Sequence, residues 1–497
     1  METISNFIYG KRGWLPFLWA MPTVTSVLVG LYHGPNFLDD AYITFRYAEN
    51  LAAGNGLVFN VGEPVLGTTT PLFAAMLAAF KLLGMPIPVV ARWLGLLSIA
   101  GVVLVVQALA RKVVSTPVAL AVGMCVALHP DTAFISNAGM ETSTSMLLVF
   151  SALLMSLQGR FALAGGLGGA AFLMRPDGVL VVALAVVMAW FHEPKKIWQP
   201  LATAAIVALP WLLYAAVTYG SPIPHSVGAK QLIHADNPAN ILVAYFRLLT
   251  LNLPLKMIFG LGAAGAVLSS MRQSKLSLVV AWMAAYFLGL VTSGIAAQFP
   301  WYVTPLSIGM VLLAGYGADQ LSNAISQRIG SDRKGMQQPA VASLILLSLA
   351  VLCTTDRHNF RLDGEGREAV YLHIGKFLQE RSAPGDVVFV GEVGVLSYLL
   401  LEQNVVDSSG INSPEVFKFR AEDRASLRLE GDPQPPRDGS VRWVNRTIAA
   451  VEPDYIVTKY PWLHIGRVED APAFQALYKR VDLNDGALAD YRVYERR

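Results

Sequence analysis

The feature that most constrains this chain is a succession of apolar runs separated by short polar breaks. A helix needs about 20 apolar residues to cross the hydrocarbon core of a bilayer. Runs at 14–32, 89–110, 116–130, 143–158, 161–173, 177–191, 198–217, 256–271, 277–294, 302–320 and 339–354 approach that length, so eleven membrane-spanning helices are predicted. Lys11 and Arg12 precede the first run with no small-residue cleavage site behind it, which reads as an uncleaved span. Only 15% of the 497 residues are charged, against roughly 25% in soluble globular proteins. Water is not the main solvent of this chain.

The charges are also unevenly spread. Of the 73 Asp, Glu, Lys and Arg residues, 42 lie after residue 355, which predicts a membrane part, 1–354, and a water-soluble tail, 355–497. Lys and Arg favour the cytoplasmic side of spans. With the N-terminus inside, Lys11, Arg12, Arg111, Lys112, Arg160, Lys195, Lys196, Arg272, Lys275, Arg328, Arg333 and Lys334 all fall there. That arrangement closes only if 33–88 is one long outer loop, in which the apolar piece 71–83 lies along the membrane or re-enters it. Eleven crossings then put the tail outside, as expected of a multi-pass protein of a bacterial inner membrane with a periplasmic C-terminal domain. Asp39, Asp40, Glu49, Glu63, Asp131, Glu141, Asp177 and Asp236 fall on the same outer side. Ionisable groups at membrane depth are costly and tend to mark function, so chemistry is expected on that face.

The tail alternates a helical pattern near 365–381 with short apolar runs at 386–390, 404–407, 454–457 and 491–494, the pattern of a small α/β domain. Pro433, Pro435 and Pro436 mark an exposed loop, and Asn445-Arg446-Thr447 matches a glycosylation sequon that chance also produces. The net charge is only +3 and no basic run is interleaved with aromatics, which excludes nucleic acid as an expected partner. Cys125 and Cys353 both sit in apolar runs, where buried thiols are commoner than disulfides or metal ligands.

The richest segment is 38–73, LDDAYITFRYAENLAAGNGLVFNVGEPVLGTTTPLF. Leu38, Ala41, Phe45, Ala48 and Ala52 recur at helical spacing, predicting a short helix with one apolar face on the membrane. Asp39 and Asp40 begin it. Adjacent carboxylates repel, and one in a partly apolar site can keep a raised pKa suited to general-base work on an acceptor hydroxyl. The plain alternative is a helix cap with a solvated neighbour.

This segment resembles the first outer loop of the GT-C superfamily of polyprenyl-phosphate-sugar glycosyltransferases, in particular the mycobacterial terminal arabinofuranosyltransferase type. Asp39 and Asp40 match the acidic pair, and Glu63, Gly67 and Pro71 fall where that pattern continues. NAGMET at 137–142 resembles the second outer loop, MRPDG at 174–178 an Arg-Pro-acidic-Gly turn, GSPIPHSVGAK at 220–230 a later loop, and VVDSSGINSPEV at 405–416 the start of the accessory domain. Leu66 and Thr68-Thr69-Thr70 depart from the usual pattern, which bears on donor and acceptor identity more than on reaction type.

The resemblance implies a polytopic α-helical membrane protein with a GT-C fold and a small C-terminal α/β domain. It implies an inverting transfer from a polyprenyl-phosphate donor to a glycan, lipid-linked or surface-protein acceptor, with arabinofuranose as the sugar and a mannose-type donor as the runner-up. Asp39 and Asp40 are the candidate bases. Arg46, Arg175 and Lys230 are basic residues expected on the outer side, where a cation reaching the donor phosphate would stabilise the leaving group. Glu63, Glu141 and His225 complete the expected donor or substrate contacts. Each has a plain reading too: Arg175 snorkelling at a helix end, Lys230 flanking a span, Glu141 at a helix N-terminus, His225 as a loop residue. Phe299, Trp301 and Tyr302 suit an interfacial belt more than a sugar-stacking wall. Asp39, Asp40 and Glu141 could offer oxygen ligands to a divalent cation, but no cofactor is expected to be required. The chain has no G-x-G-x-x-G followed by a βαβ unit, which argues against a nucleotide-sugar enzyme. A transporter or flippase is the main rival, and would more usually show repeat-related halves with charges near the midplane. The tail, by its position, is the candidate for gripping a large acceptor.

Overall fold

The computed structural model describes residues 15–234, 238–294, 299–328, 337–355, 364–429, 441–460, 463, 465–483 and 490–497. Lys11, Arg12, Asp236, Arg333, Lys334, Pro433, Pro435 and Pro436 lie outside the described residues. A helix stands at each of the eleven expected positions, beginning with Leu15–His33. Ile87–Ala110, Pro194–Tyr219, Leu253–Met271 and Trp301–Arg328 are long and apolar enough to cross a membrane. Thr142–Leu157, Phe161–Met174, Pro176–His192, Ser277–Ser293 and Pro339–Thr354 are shorter apolar helices. Length and composition among the described residues therefore support four spans, or five if a bent pair is counted as one.

The span expected at 116–130 forms the first arm of that bent pair. Thr116–Leu128 is followed at 53° by Pro130–Asn137. Proline has no N–H to continue the helical ladder, and His129 before it is extended, with φ −65° and ψ 134°. Its Nδ1 accepts the Asp131 N–H at 3.2 Å and so caps the second helix. The apolar piece in the outer loop forms the helix Pro71–Leu82, started by proline in its first turn and buried at Phe73, Ala74 and Leu77.

The tail carries a five-stranded mixed sheet in the order β2-β1-β3-β5-β4: β1 Val387–Val390, β2 Asn404–Asp407, β3 Tyr455–Lys459, β4 Tyr478–Val481 and β5 Tyr491–Arg496. β1 pairs in parallel with β2 and β3, while β5 is antiparallel to β3 and β4. Four strands coincide with the expected apolar runs. β4 was not expected, because as an edge strand it exposes Lys479 and Arg480 and shows no apolar run. Side chains alternate faces along β1. Val388 and Val390 join a core continuous with Ala41, Phe45 and Phe59 of the outer loop, whereas Phe389 packs on the far side with Val406, Ile456 and Tyr494. One face of the sheet thus shares its interior with the helical part. The sequon lies on the helix Arg442–Val451, where Thr447 is buried and its hydroxyl donates to Trp443 O at 2.8 Å.

Candidate active site

Asp39 and Asp40 occupy the first turn of the helix Asp39–Ala52. Neighbouring residues on a helix point about 100° apart, so the two carboxylates diverge. The helix is not the membrane-surface helix expected from its spacing. Ala41, Tyr42, Ile43, Phe45, Arg46, Tyr47 and Ala48 are all buried, so protein surrounds it on nearly every side. Its apolar period was legible, but not that the tail would cover the opposite face.

Asp40 faces a cluster of charges. Lys230, on the helix His225–His234, places Nζ 3.8 Å from Asp40 Oδ2. Nearby, Arg175 holds Glu141 Oε1 through Nη1 at 3.2 Å and Asp177 Oδ2 through Nη2 at 2.9 Å. The Arg175 guanidinium also lies over the Tyr302 ring, 4.9 Å from its centroid, and Tyr286 donates its hydroxyl to Tyr302 O at 3.0 Å. Burial disfavours the Lys230 ammonium, but Tyr302, Asp40 and Glu141 outweigh it and hold its pKa above the ordinary lysine value. Glycine makes this convergence feasible at one point. Gly139 has φ +74°, and a Cβ there would lie 2.7 Å from the Phe37 ring and 3.2 Å from Ala41 Cβ. The 137–142 turn can therefore close onto the outer-loop helix and bring Glu141 with it.

Asp177 and Tyr302 belong to this cluster and were not among the expected site residues. Asp177 had a signal, since it shares a turn with Arg175. The sequence suits Tyr302 to an interfacial belt. The structure instead puts its ring against Arg175, with Trp301 buried beside it and stacked on Phe299 at 4.7 Å. Thr142, Ser145, Arg175, Asp177, Trp282 and Tyr286 line a small cavity at the same place. Among the described residues, no group of three or more His, Cys, Asp or Glu side chains is arranged to hold a metal ion.

The other four expected residues lie elsewhere, along the seam between outer loop and tail. Asp39 accepts the backbone N–H of Gly394 through Oδ2 and of Val395 through Oδ1, each at 2.9 Å. Burial, with Glu392 nearby, raises its pKa to about 7 against the opposing pull of those two N–H groups. Arg46, expected at the donor, is fully buried in the seam. It donates to Phe59 O at 2.6 Å, Asn60 Oδ1 at 3.0 Å, Gln403 O at 2.9 Å, Leu400 O at 2.6 Å and Ser397 O. A guanidinium has five N–H donors, and all five are engaged. Glu63, also expected at the donor, is exposed and accepts from Asn60 Nδ2 at 3.0 Å and Asn404 Nδ2 at 3.1 Å. His225 sends its backbone N–H to Leu66 O at 2.8 Å and sets its ring edge-on to Phe417 of the tail at 4.9 Å. Gly67 is confined to the same seam, since a Cβ there would lie 2.0 Å from Asn412 Oδ1.

Residues 358–494 match a family described as a domain of unknown function. No curated protein matches the chain in sequence. Solved structures share its fold. The crystal structure of ArnT from Cupriavidus metallidurans bound to undecaprenyl phosphate is 13% identical, with 97% of this chain and 98% of that one covered at a TM-score of 0.60. The Archaeoglobus fulgidus oligosaccharyltransferase in its apo form is 12% identical, covers 91% of this chain and 70% of its own, and has a TM-score of 0.57. The oligosaccharyltransferase AglB from the same organism, in complex with an inhibitory peptide and a dolichol-phosphate, gives 12%, 95%, 73% and 0.54 in the same order. The helical architecture of this chain is the fold of these proteins.

Proposed function

We propose that this chain is a glycosyltransferase that moves a sugar from a polyprenyl-phosphate donor to an acceptor hydroxyl on its outer, periplasmic face. The observation that carries this reading is the opposition of Asp40 and Lys230 beside the Glu141–Arg175–Asp177 network. It occurs in a fold shared with a protein crystallised with undecaprenyl phosphate. Asp40 is the general base. It takes the proton of the acceptor hydroxyl as that oxygen attacks the anomeric carbon, and the bond from that carbon to the phosphate oxygen breaks with its electron pair leaving on the polyprenyl phosphate. Attack opposite the leaving group inverts the anomeric centre. Lys230 has a flexible stem and can turn from Asp40 to the phosphate, which neutralises the leaving group and frees the base in one movement. Arg175 is held by two carboxylates, so it is best suited to fixing Glu141 and Asp177 as acceptors for sugar hydroxyls. Arabinofuranose is the first sugar to supply, on the resemblance of residues 38–73, with mannose second. The acceptor is a glycan, a lipid-linked saccharide or a surface protein.

The test is transfer by purified protein in detergent or lipid, with radiolabelled polyprenyl-phosphate arabinofuranose and mannose supplied in parallel to saccharide and protein acceptors. Asp40→Asn is expected to lower transfer roughly 10²–10⁴-fold, the usual worth of a general base, with donor binding retained. Full activity in Asp40→Asn would remove Asp40 from the chemistry. No transfer by the unmodified protein from either donor would favour the transporter reading.

A further inference from the structure

The seam contains an arrangement that the proposed chemistry does not itself use. The tail helix Gly394–Leu399 is six residues long, too short to be stable alone. Its N-terminal amides, Gly394 and Val395, are bound by the Asp39 carboxylate, and its C-terminal carbonyls, Ser397 and Leu400, by the Arg46 guanidinium. Asp39 and Arg46 lie seven residues apart on one helix, a rise of about 10 Å, and Gly394 to Leu400 rises about 9 Å. The two helices therefore run in the same direction, and the Asp39–Arg46 stretch of the longer one, Asp39–Ala52, matches the length of the shorter. Parallel helix dipoles repel, and an acid between the two N-terminal ends with a cation at the C-terminal end of the short helix offsets this. The approach is close enough to require glycine. A Cβ on Gly394 would lie 1.8 Å from Asp39 O.

We infer that Asp39 and Arg46 are positioning residues that grip both ends of the tail helix Gly394–Leu399 and so hold Asp40, the residue beside Asp39, opposite Lys230. The inference rests on the assignment of Asp40 as base. It makes the tail a working part of the reaction centre in addition to any part it has in binding the acceptor. Asp39 contributes acceptor atoms to this grip. Asparagine in its place keeps one of them, and alanine keeps neither.

The test uses the full chain in detergent or nanodiscs, unmodified and as Asp39→Ala and Asp39→Asn, with Asp40→Asn in parallel. Two quantities are read: hydrogen exchange of the peptide holding Gly394 and Val395, and kcat and KM for donor and acceptor. In Asp39→Ala, exchange is expected to quicken about tenfold or more and kcat to fall by a similar factor, with both KM values within about twofold. Asp39→Asn should fall between Asp39→Ala and the unmodified protein in both readouts, and it remains informative if Asp39→Ala does not fold. Unchanged exchange in Asp39→Ala overturns the inference. So does an Asp39→Asn protein as inactive as Asp40→Asn, because Asp39 would then be doing the chemistry. Full transfer in Asp40→Asn with protected seam amides would instead overturn the base on which the inference rests, so the two failures are distinguishable.

Discussion

Two buried arginines divide this molecule. Arg46 meets oxygen acceptors that carry no net charge, four backbone carbonyls and the Asn60 amide. Arg175 meets the carboxylates of Glu141 and Asp177 and the face of Tyr302. In sequence both are lone arginines on the outer side of an apolar protein, and both were expected at the donor. The difference lies in what a buried cation can still do. A guanidinium whose donors all end on carbonyls ties two pieces of backbone together and has nothing left for a substrate. One paired with carboxylates sits in a set of like and unlike charges that an incoming anion or hydroxyl can rearrange. The seam is therefore built from charges spent on backbone, and the site from charges spent on one another.

That contrast breaks first at Arg46. Arg46→Met leaves carbonyls on both sides of the seam without their donor, and we predict a loss of about 3–5 kcal/mol in stability, the scale for removing a buried charged partner. Denaturation of the purified protein measures it. A stable Arg46→Met protein with lost donor binding would mean that the arginine belongs to the site after all. Lys230→Met should behave in the opposite way. Lys230 is part-exposed and its ion pair with Asp40 is long, at 3.8 Å, so its removal should leave the unfolding midpoint nearly unchanged while transfer falls roughly 10²–10³-fold. A large drop in midpoint with normal transfer would reassign Lys230 to the seam.

Much of the helical part was legible because an apolar run has one reading wherever hydrocarbon is the solvent. All eleven runs are helices. The bend at Pro130 was legible too, in principle, from a proline behind an extended residue. The site was half legible. Asp40, Glu141, Arg175 and Lys230 come from four segments, and each was marked by a scarce charge in a turn. Asp39, Arg46, Glu63 and His225 carried the same mark for a different reason. Asp39 and Arg46 meet backbone groups of the tail more than 300 residues away and Glu63 meets the Asn404 side chain at a similar separation, and partners so distant leave no local signature in the sequence. Asp177 and Tyr302 were missed because an acid two residues from its arginine looks like a local turn, and an aromatic residue at a helix start looks like a membrane belt.

Asp39 sharpens the comparison through pH. Its pKa of about 7 in the closed seam, raised by burial and Glu392 with a smaller push from Asp40, exceeds the ordinary carboxylate value near 4. Tyr371 of the tail also faces it. A pKa raised in the closed form means that the closed form binds the proton more tightly. Closure is strongest below about pH 4, weakens as pH rises toward 7, and is flat above it. One proton limits the slope to about tenfold in the opening equilibrium per pH unit. Exchange of the Gly394 and Val395 amides, corrected for its intrinsic pH dependence, should show this slope and lose it in Asp39→Asn. No slope in the unmodified protein would mean that Asp39 is ionised in the seam, as a site residue would be.

Glu63 is the smallest of these effects and the most discriminating for its size. It lies at the rim of the seam, exposed, and accepts from two asparagine amides. Glutamine keeps the carbonyl oxygen and the length of the side chain while removing the charge, and surface changes of this kind usually stay within about 0.5 kcal/mol. Glu63→Gln should therefore leave both stability and transfer close to those of the unmodified protein. The resemblance of residues 38–73 to a GT-C outer loop instead places Glu63 among the donor contacts, where loss of the charge would raise KM for the donor. Steady-state transfer at varied donor concentration separates the two. An unchanged KM assigns the glutamate to the seam with Arg46, and a raised one would mean that the outer loop moves Glu63 toward the site when donor binds.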